Sequence, residues 1–321
     1  MYQIFQMKNE DVPCVLKIWH TQFINYCGNG LFPDFWVGGK EMVKSYLFNQ
    51  IEKGNAIVAK LNEVIVGYMA WMYFDFHNER TAFCPIVGHA ALIEDKEKIY
   101  LKLYTASSKK WVQDNRFNHL WMTFYDDTYL KNMLYDIGFG SYVIDACQKI
   151  LPNMFQVNCP YRMTKAVSND VDSLLQLANE TSEYYSDAPI FLKREKFSRD
   201  YITKIINQEN AFIAWDNNNM IGVMSFSINQ GYHFERLTSV ESSYICHIGA
   251  YIMPNYRGKG VGTGLLKEVF DFCLKIGKPF IHVSYETANP NASKFWPKYF
   301  NPVIRSVRRT INKDSNEGLR V

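Results

Sequence analysis

Residues 250–264 read Ala-Tyr-Ile-Met-Pro-Asn-Tyr-Arg-Gly-Lys-Gly-Val-Gly-Thr-Gly, and LLKEVFDFCLKIG follows. An apolar, β-prone run ends near Met253 and meets a Pro-Asn turn. A basic, glycine-dense loop comes next. Leu265, Leu266, Val269, Phe270, Cys273 and Leu274 then recur with helical period. Strand, glycine loop and helix in that order make an anion cradle. Gly258, Gly260 and Gly262 have no Cβ, so the backbone can turn tightly and bring its N–H groups close to a phosphate. The helix adds its positive dipole end and its free first-turn N–H groups at the same place. Arg257 and Lys259 add formal charge. The spacing is not that of a P-loop, because no Gly-Lys-Ser/Thr closes it. Nor is it Gly-x-Gly-x-x-Gly, the dinucleotide fingerprint.

Arg257-x-x-Gly260-x-Gly262 after a strand and a Pro turn resembles motif A of the GNAT family, the Gcn5-related N-acetyltransferases. The resemblance implies acetyl-coenzyme A as cosubstrate, its pyrophosphate held by Arg257, Gly258, Lys259, Gly260, Val261, Gly262 and Thr263. Downstream, Asn289, Ala292 and Phe295 fit the family's motif B, Asn-x-x-Ala-x-x-Phe-Tyr. Trp296 stands where the family commonly has a tyrosine that protonates the leaving thiolate. Tyr299, three residues on, is the nearest phenol on the same helix.

The chemistry implied is direct attack of a neutral amine on the thioester. Such catalysis rests on holding two reactants in line and on hydrogen bonds to the developing oxyanion. By the same resemblance pantetheine adds along Ala250, Tyr251 and Ile252 like an extra strand, and Tyr251 or Ile252 supplies the oxyanion N–H. A base must take the proton of an alkylammonium. Family members often carry a glutamate where Ser284 stands here. Glu286, two residues on and on the same strand face, is the first candidate. His247 on the neighbouring strand is the second, against its reading as an ordinary core histidine. Residues 181–191 and 230–241 are expected to shape the acceptor pocket. Arg305, Arg308 and Arg309 face either an anionic substrate or water.

The rest of the chain bounds these readings. With 321 residues, 47% apolar and 21% charged content, it is a folded protein of about two domains. A net charge of +3 gives no broad basic surface for nucleic acid. Seven scattered cysteines without a Cys-x-x-Cys pair read as reduced thiols, with neither disulfides nor a metal site. There is no signal-peptide pattern and no apolar run long enough to span a bilayer, so a cytoplasmic protein is expected.

A repeat organises the chain. NAIVAKLNEVIVGYMAW (55–71) lies without a gap over NAFIAWDNNNMIGVMSF (210–226), and both read as hairpins. A capped helix precedes each, after Asn9-Glu-Asp11 and after Ser168-Asn-Asp170. Further helical patterns run over 40–51 and 193–208, and Gly28 to Gly39 reads as a loop. The repeat predicts an α/β (α+β mixed sheet) fold of two tandem GNAT-like domains, 1–152 and 153–321. Each is a mixed, mostly antiparallel sheet flanked by helices. A gapless continuation sets Leu92 on Ile252 and places Glu97, Lys98, Tyr100 and Lys102 where Arg257, Gly258, Gly260 and Gly262 stand. The first copy therefore lacks a cradle and is degenerate.

The function expected is an acetyl-CoA-dependent N-acetyltransferase acting on a primary amine of a small molecule or peptide. The other reading is a non-catalytic sensor of coenzyme A or an acyl-CoA. Neither nucleic acid nor membrane is an expected partner, and the chain is expected to be a monomer or homodimer.

Overall fold

A computed structural model describes residues 1–28, 30–32 and 35–314. The chain divides into two compact units that interleave in sequence. One comprises Met1–Asp145, Gly231–Ser239 and Pro302–Val321, the other Ala146–Gln230 and Val240–Asn301. The sequence boundary at 152/153 describes two contiguous halves. The units instead change hands near residue 145, and the first takes two further segments from the second half of the chain.

The first unit contains β1 (Gln3–Gln6), α1 (Val12–Cys27), α2 (Phe35–Glu52), β2 (Ala56–Leu61), β3 (Val64–Ala70), β4 (Met72–Phe76), β5 (Glu79–Cys84), β6 (His89–Ala91), α3 (Lys96–Gln113), β7 (Asn118–Phe124), α4 (Thr128–Asp136) and the start of β8 (Gly140–Lys149). Strands β1-β2-β3-β6 form one antiparallel sheet. A second sheet runs β4-β5-β7, with β7 parallel to β5. Its next strand comes from the far end of the chain: β14 (Asn301–Thr310) pairs antiparallel with β7 from Ile304↔Phe124 to Thr310↔Asn118. Trp71, Trp111, Trp121, Tyr100 and Leu103 fill the core.

Helix α2 begins at Phe35, inside the stretch read as a loop; Asn29, Pro33 and Asp34 of that stretch lie outside the described residues. Glycine is a poor helix former, but here aromatic packing outweighs propensity. Phe35 is buried against Trp19 and Phe23, and a Cβ on Gly39 would come within 2.9 Å of the Phe35 ring.

The second unit repeats the programme with β9 (Arg162–Lys165), α5 (Val171–Ser186), α6 (Arg199–Gln208), β10 (Asn210–Asp216), β11 (Asn219–Ile228), β12 (Ser242–Ile252), α7 (Val261–Lys275), β13 (Phe280–Glu286) and α8 (Pro290–Phe295). Its sheet runs β9-β10-β11-β12-β13, followed by the end of β8. From β9 to β12 neighbours are antiparallel, and β12 runs parallel to β13. Apolar side chains of α5 and α6 pack with Ile213, Val223 and Tyr251 on one face. On the other face Phe272 of α7 meets Phe212 and Phe226. The repeat is literal in the hairpins: each shifts register at the matched place, Ala59/Lys60 and Ala214/Trp215.

Helix α6 begins at Arg199, later than its pattern from 193 suggests. Ser198 caps it by accepting from Tyr201 N. Ser-Arg-Asp at 198–200, a capping residue before an acidic first turn, was the signal for that start.

Candidate functional site

The site grows from the parting of two parallel strands. Strand β12 pairs with β13 only from Ser242↔Phe280 to Ile245↔Val283, although both strands continue. The turn-off point is a bulge. The β11–β12 register shifts between Met224 and Phe226, and His247 (φ 64) and Gly249 (φ 75) are left-handed. Bulges re-aim a strand in this way, and a left-handed non-glycine residue is uncommon.

Beyond the bulge, bond parity decides which amides face the opening. Met253 N donates to Ile221 O (3.0 Å), and Gly222 opposes Ile252. Alternation in an antiparallel ladder then directs Tyr251 N–H at β11 and leaves Ala250 and Ile252 facing the gap. Of the two oxyanion candidates only Ile252 has its amide on the open side. The Tyr251 side chain lies on the α5 face, its hydroxyl 3.4 Å from Glu180 Oε2.

The cradle follows at once. A 3₁₀ turn at Pro254–Tyr256 leads to Gly258 (φ 76) and to Gly260 (φ 80), the N-cap of α7. No side chain caps that helix. Gly264 N donates to Gly260 O (2.9 Å), so the amides of Val261, Gly262 and Thr263 precede the first helical bond. A Cβ on Gly260 would stand 2.6 Å from Asn158 O, and one on Gly262 would stand 3.2 Å from the Phe295 ring. Gly260 is thus required by close approach as well as by φ. A bare helix N-terminus of glycine backbone fits a diphosphate.

The two cations divide. Lys259 sits over the Tyr256 ring, with Nζ 5.4 Å from its centroid. Arg257 turns back: its Nε donates to Ile252 O (3.0 Å), and its guanidinium lies over the rings of Tyr184 and Tyr251. Its side chain braces β12.

Asn289 is buried and caps α8, accepting from Asn291 N and Ala292 N (3.2 Å each). The Tyr184 hydroxyl donates to the same oxygen (2.9 Å) and accepts from Asn291 Nδ2 (2.7 Å). Tyr184 also packs on Tyr251. The end of α5 therefore bridges from β12 to the segment after β13. Trp296 is buried, and Tyr299 shares a 2.8 Å hydrogen bond with Thr263 on the first turn of α7. Tyr299 stands at the cradle, on the α7 side.

Glu286 closes β13. Its Oε1 accepts from Arg194 Nη2 (3.0 Å), and burial together with this carboxylate pushes the Tyr185 phenol up to about 12. His247 lies elsewhere on β12, with Nε2 2.6 Å from Ser227 Oγ and Nδ1 2.9 Å from Tyr201 OH. Burial lowers its pKa, and Glu209 raises it in part. Both nitrogens are engaged.

Other sequence candidates belong to the first unit. Segment Gly231–Ser239, expected near the acceptor, belongs to the first unit, where Tyr232 packs on Phe35 and Phe234 on Tyr46. Arg305, Arg308 and Arg309 lie on β14 in that unit and bond Ser141, Asn118 and Tyr104. Tyr185 lies in the 181–191 stretch expected to shape the acceptor pocket; Arg194 was missed, because nothing local in the sequence joins it to Glu286.

The first unit's counterpart corrects the gapless register. Gly67 pairs with Ala91 where Gly222 pairs with Ile252, so Ala91, not Leu92, answers to Ile252. Residues 92–95 then form a much shorter turn than 253–260. Asp95 (φ 55) is the N-cap of α3, and Glu97, Lys98, Tyr100 and Lys102 all lie inside that helix. Degeneracy follows from other residues. Asp95 puts its own carboxylate at the helix start, bonded to Lys98 (2.7 Å) and Tyr2 (2.9 Å). Lys96 pairs with buried Asp127 at 2.5 Å. His89 Nε2 donates across to Met122 O on β7 (2.7 Å), leaving Nδ1 to accept from Tyr100 OH (2.9 Å).

Among the described residues no cluster could hold a metal ion, none of the seven cysteines is in a disulfide, and no helix is long and apolar enough to cross a membrane. The family model described as Acetyltransferase (GNAT) family matches residues 171–301. An uncharacterised N-acetyltransferase of Methanocaldococcus jannaschii is 21% identical over 154 residues, which is 47% of this chain and 65% of that protein, under two thirds of its length. A GCN5-related N-acetyltransferase from Sphaerobacter thermophilus superposes with TM-score 0.59 at 11% identity, over 97% of this chain and 96% of that one. A fungal GCN5-related glucosamine N-acetyltransferase region within a multi-domain GH3 β-N-acetylglucosaminidase gives TM-score 0.53 at 12% identity, over 96% of this chain and 38% of that one. At such identities these two likenesses establish the fold.

Proposed function

From the match of residues 171–301 to the GNAT acetyltransferase family model, we propose that the chain is a GNAT-family protein whose second unit is an acetyl-coenzyme A-dependent N-acetyltransferase for a primary amine. The observation that carries this reading is the uncapped N-terminus of α7, built on Gly258, Gly260 and Gly262 and set at the end of a strand that has parted from its neighbour. The amides of 258–263 would hold the diphosphate, with Lys259 adding charge. Ala250 and Ile252 would pair with the pantetheine amides, and Ile252 N–H is the donor for the acyl oxygen. When bound, acetyl-coenzyme A supplies an activated acyl group.

The chain's own residues do the rest. Asn289 and Tyr184 hold the two sides of the gap in register. Arg257 fixes the outgoing end of β12. The acceptor approaches on the α5 face, where Glu286 receives its ammonium and takes the proton. His247, with Ser227 and Tyr201, is the alternative proton acceptor. Tyr299, the phenol that motif B suggests for the leaving thiolate, is tied to the cradle by its bond to Thr263. Cysteines that form no disulfide suit a reducing, cytoplasmic setting.

That tie, with Trp296 in the place of a tyrosine, favours a second reading: coenzyme A bound without turnover. Thiol release from acetyl-coenzyme A across a panel of amines separates the two. Release above the hydrolytic background supports transfer. Tight coenzyme A binding by calorimetry with no release for any amine would establish the sensor instead.

A further inference from the structure

Residues 187–198 connect α5 to α6, and their second half is strapped to α5 around one side chain. Leu192 N donates to Tyr185 O (2.8 Å), Ser182 Oγ donates to Glu195 O (3.1 Å), and Phe197 N donates to Asn179 Oδ1 (2.8 Å). Between these ties Arg194 lays its guanidinium on the Tyr185 ring, 3.4 Å from the centroid. One nitrogen, Nη2, reaches Glu286; Nε and Nη1 make no hydrogen bond among the described residues, and the side chain is 30% exposed. Three other bonds already hold the strap without this ion pair. What the arrangement provides is a pre-aimed guanidinium. Its planar fork is stacked, one nitrogen is held by a carboxylate, and the other two are uncommitted among the described residues.

A fork of this kind matches a carboxylate in two bonds. Its place decides whose carboxylate. It sits on the α5 face at the end of β13, just past the divergence of β12 and β13. The cradle belongs to α7 on the other face. The geometry points to Arg194 as the residue that reads the acceptor: it binds a carboxylate while neighbouring Glu286 receives the ammonium of the same molecule. The acceptor class is an amine that also carries a carboxylate, as a free amino acid does. This rests on the transfer reading for its meaning, but the recognition step can be measured without turnover.

The test is calorimetry on the full chain preloaded with coenzyme A, using lysine against cadaverine, ornithine against putrescine, and phenylalanine against phenethylamine. In at least one pair the amino acid is expected to bind about tenfold or more tightly than its decarboxylated partner. Arg194→Gln should abolish that preference, Arg194→Lys should restore part of it, and Glu286→Gln should weaken both members. Coenzyme A affinity of each variant shows that the fold survives. In turnover, Arg194→Gln should raise KM for the amino acid far more than it lowers kcat. Equal or better binding of the amine in every pair, or a preference that persists in Arg194→Gln, overturns the assignment. Failure of thiol release alongside a clear amino-acid preference would instead sink the transfer reading alone.

Discussion

Single residues already separate the functions of similar-looking parts. Gly258 and Gly260 both have positive φ, but only Gly260 is crowded, with Asn158 O 2.6 Å from where its Cβ would be. Gly258→Ala is expected to cost about 1 kcal/mol of stability, the ordinary strain of a left-handed side chain. It should leave coenzyme A affinity within a few-fold. Gly260→Leu should push the loop off α7 and weaken coenzyme A by about tenfold or more, as losing one or two charge-assisted bonds would. Calorimetry and thermal melts on the pair read both effects. Equal losses of affinity would remove the cradle from the account. In the first unit, burial holds His89 down to about 3 and His119 to about 4. Unfolded histidine binds a proton near 6.5, so between that value and the folded pKa the unfolded chain carries more protons. Stability is therefore fully present above about pH 6.5 and is lost as pH falls toward 3. From pH 6.5 to 5 the His89 share is about 2 kcal/mol. A His89→Gln variant should show a flatter dependence of melting temperature over that interval than the wild type, and an unchanged slope would contradict the burial argument.

Elements show which features a sequence announces. The paired hairpins, the helix caps at Asp11 and Asp170, and the glycine loop were legible because each depends on neighbours a few residues away. Register was not. A one-residue slip in a short apolar run leaves the same composition on the page and moves every side chain to the other face. That is how Leu92 came to stand for Ala91. The Arg194 strap was hidden for a related reason: its meaning comes from Glu286, far along the chain, while its local sequence continues smoothly into α6. Helix α8 is the case where local signal and tertiary role coincide. Asn289 caps it and anchors Tyr184 with one oxygen. Asn289→Ala should cost about 1 kcal/mol for the cap alone, and more for the orphaned phenol. Asn289→Asp keeps the acceptor oxygens and should recover most of the loss. Urea denaturation of the two variants decides, and an alanine variant as stable as wild type would mean the bridge from α5 is not structural.

At the scale of the whole molecule, a repeat written twice in sequence does not make two separable halves. The strand after α8 completes a sheet of the first unit through its pairing with β7, and the second unit begins inside β8, at Ala146. A fragment of residues 153–321 would lose the strand end beside β13, including the bond from Ile150 N to Pro279 O, and would leave its own last strand without β7. Exposed strand edges of that kind pair with other chains. The fragment is expected to aggregate or to melt well below the full chain, and a monomeric fragment with native coenzyme A affinity would refute the interleaving. The same comparison fixes how many ligands the intact chain takes. Where the second unit presents bare amides at the start of α7, the first presents the Asp95 carboxylate, the buried Lys96–Asp127 pair and a histidine bonded across to β7. An anion arriving there would meet a charge of its own sign. Calorimetry should therefore find one equivalent of coenzyme A per chain. Asp95→Gly should leave that stoichiometry at one, since the residues behind the turn still fill the space, and two equivalents in either protein would show that the first copy kept its site.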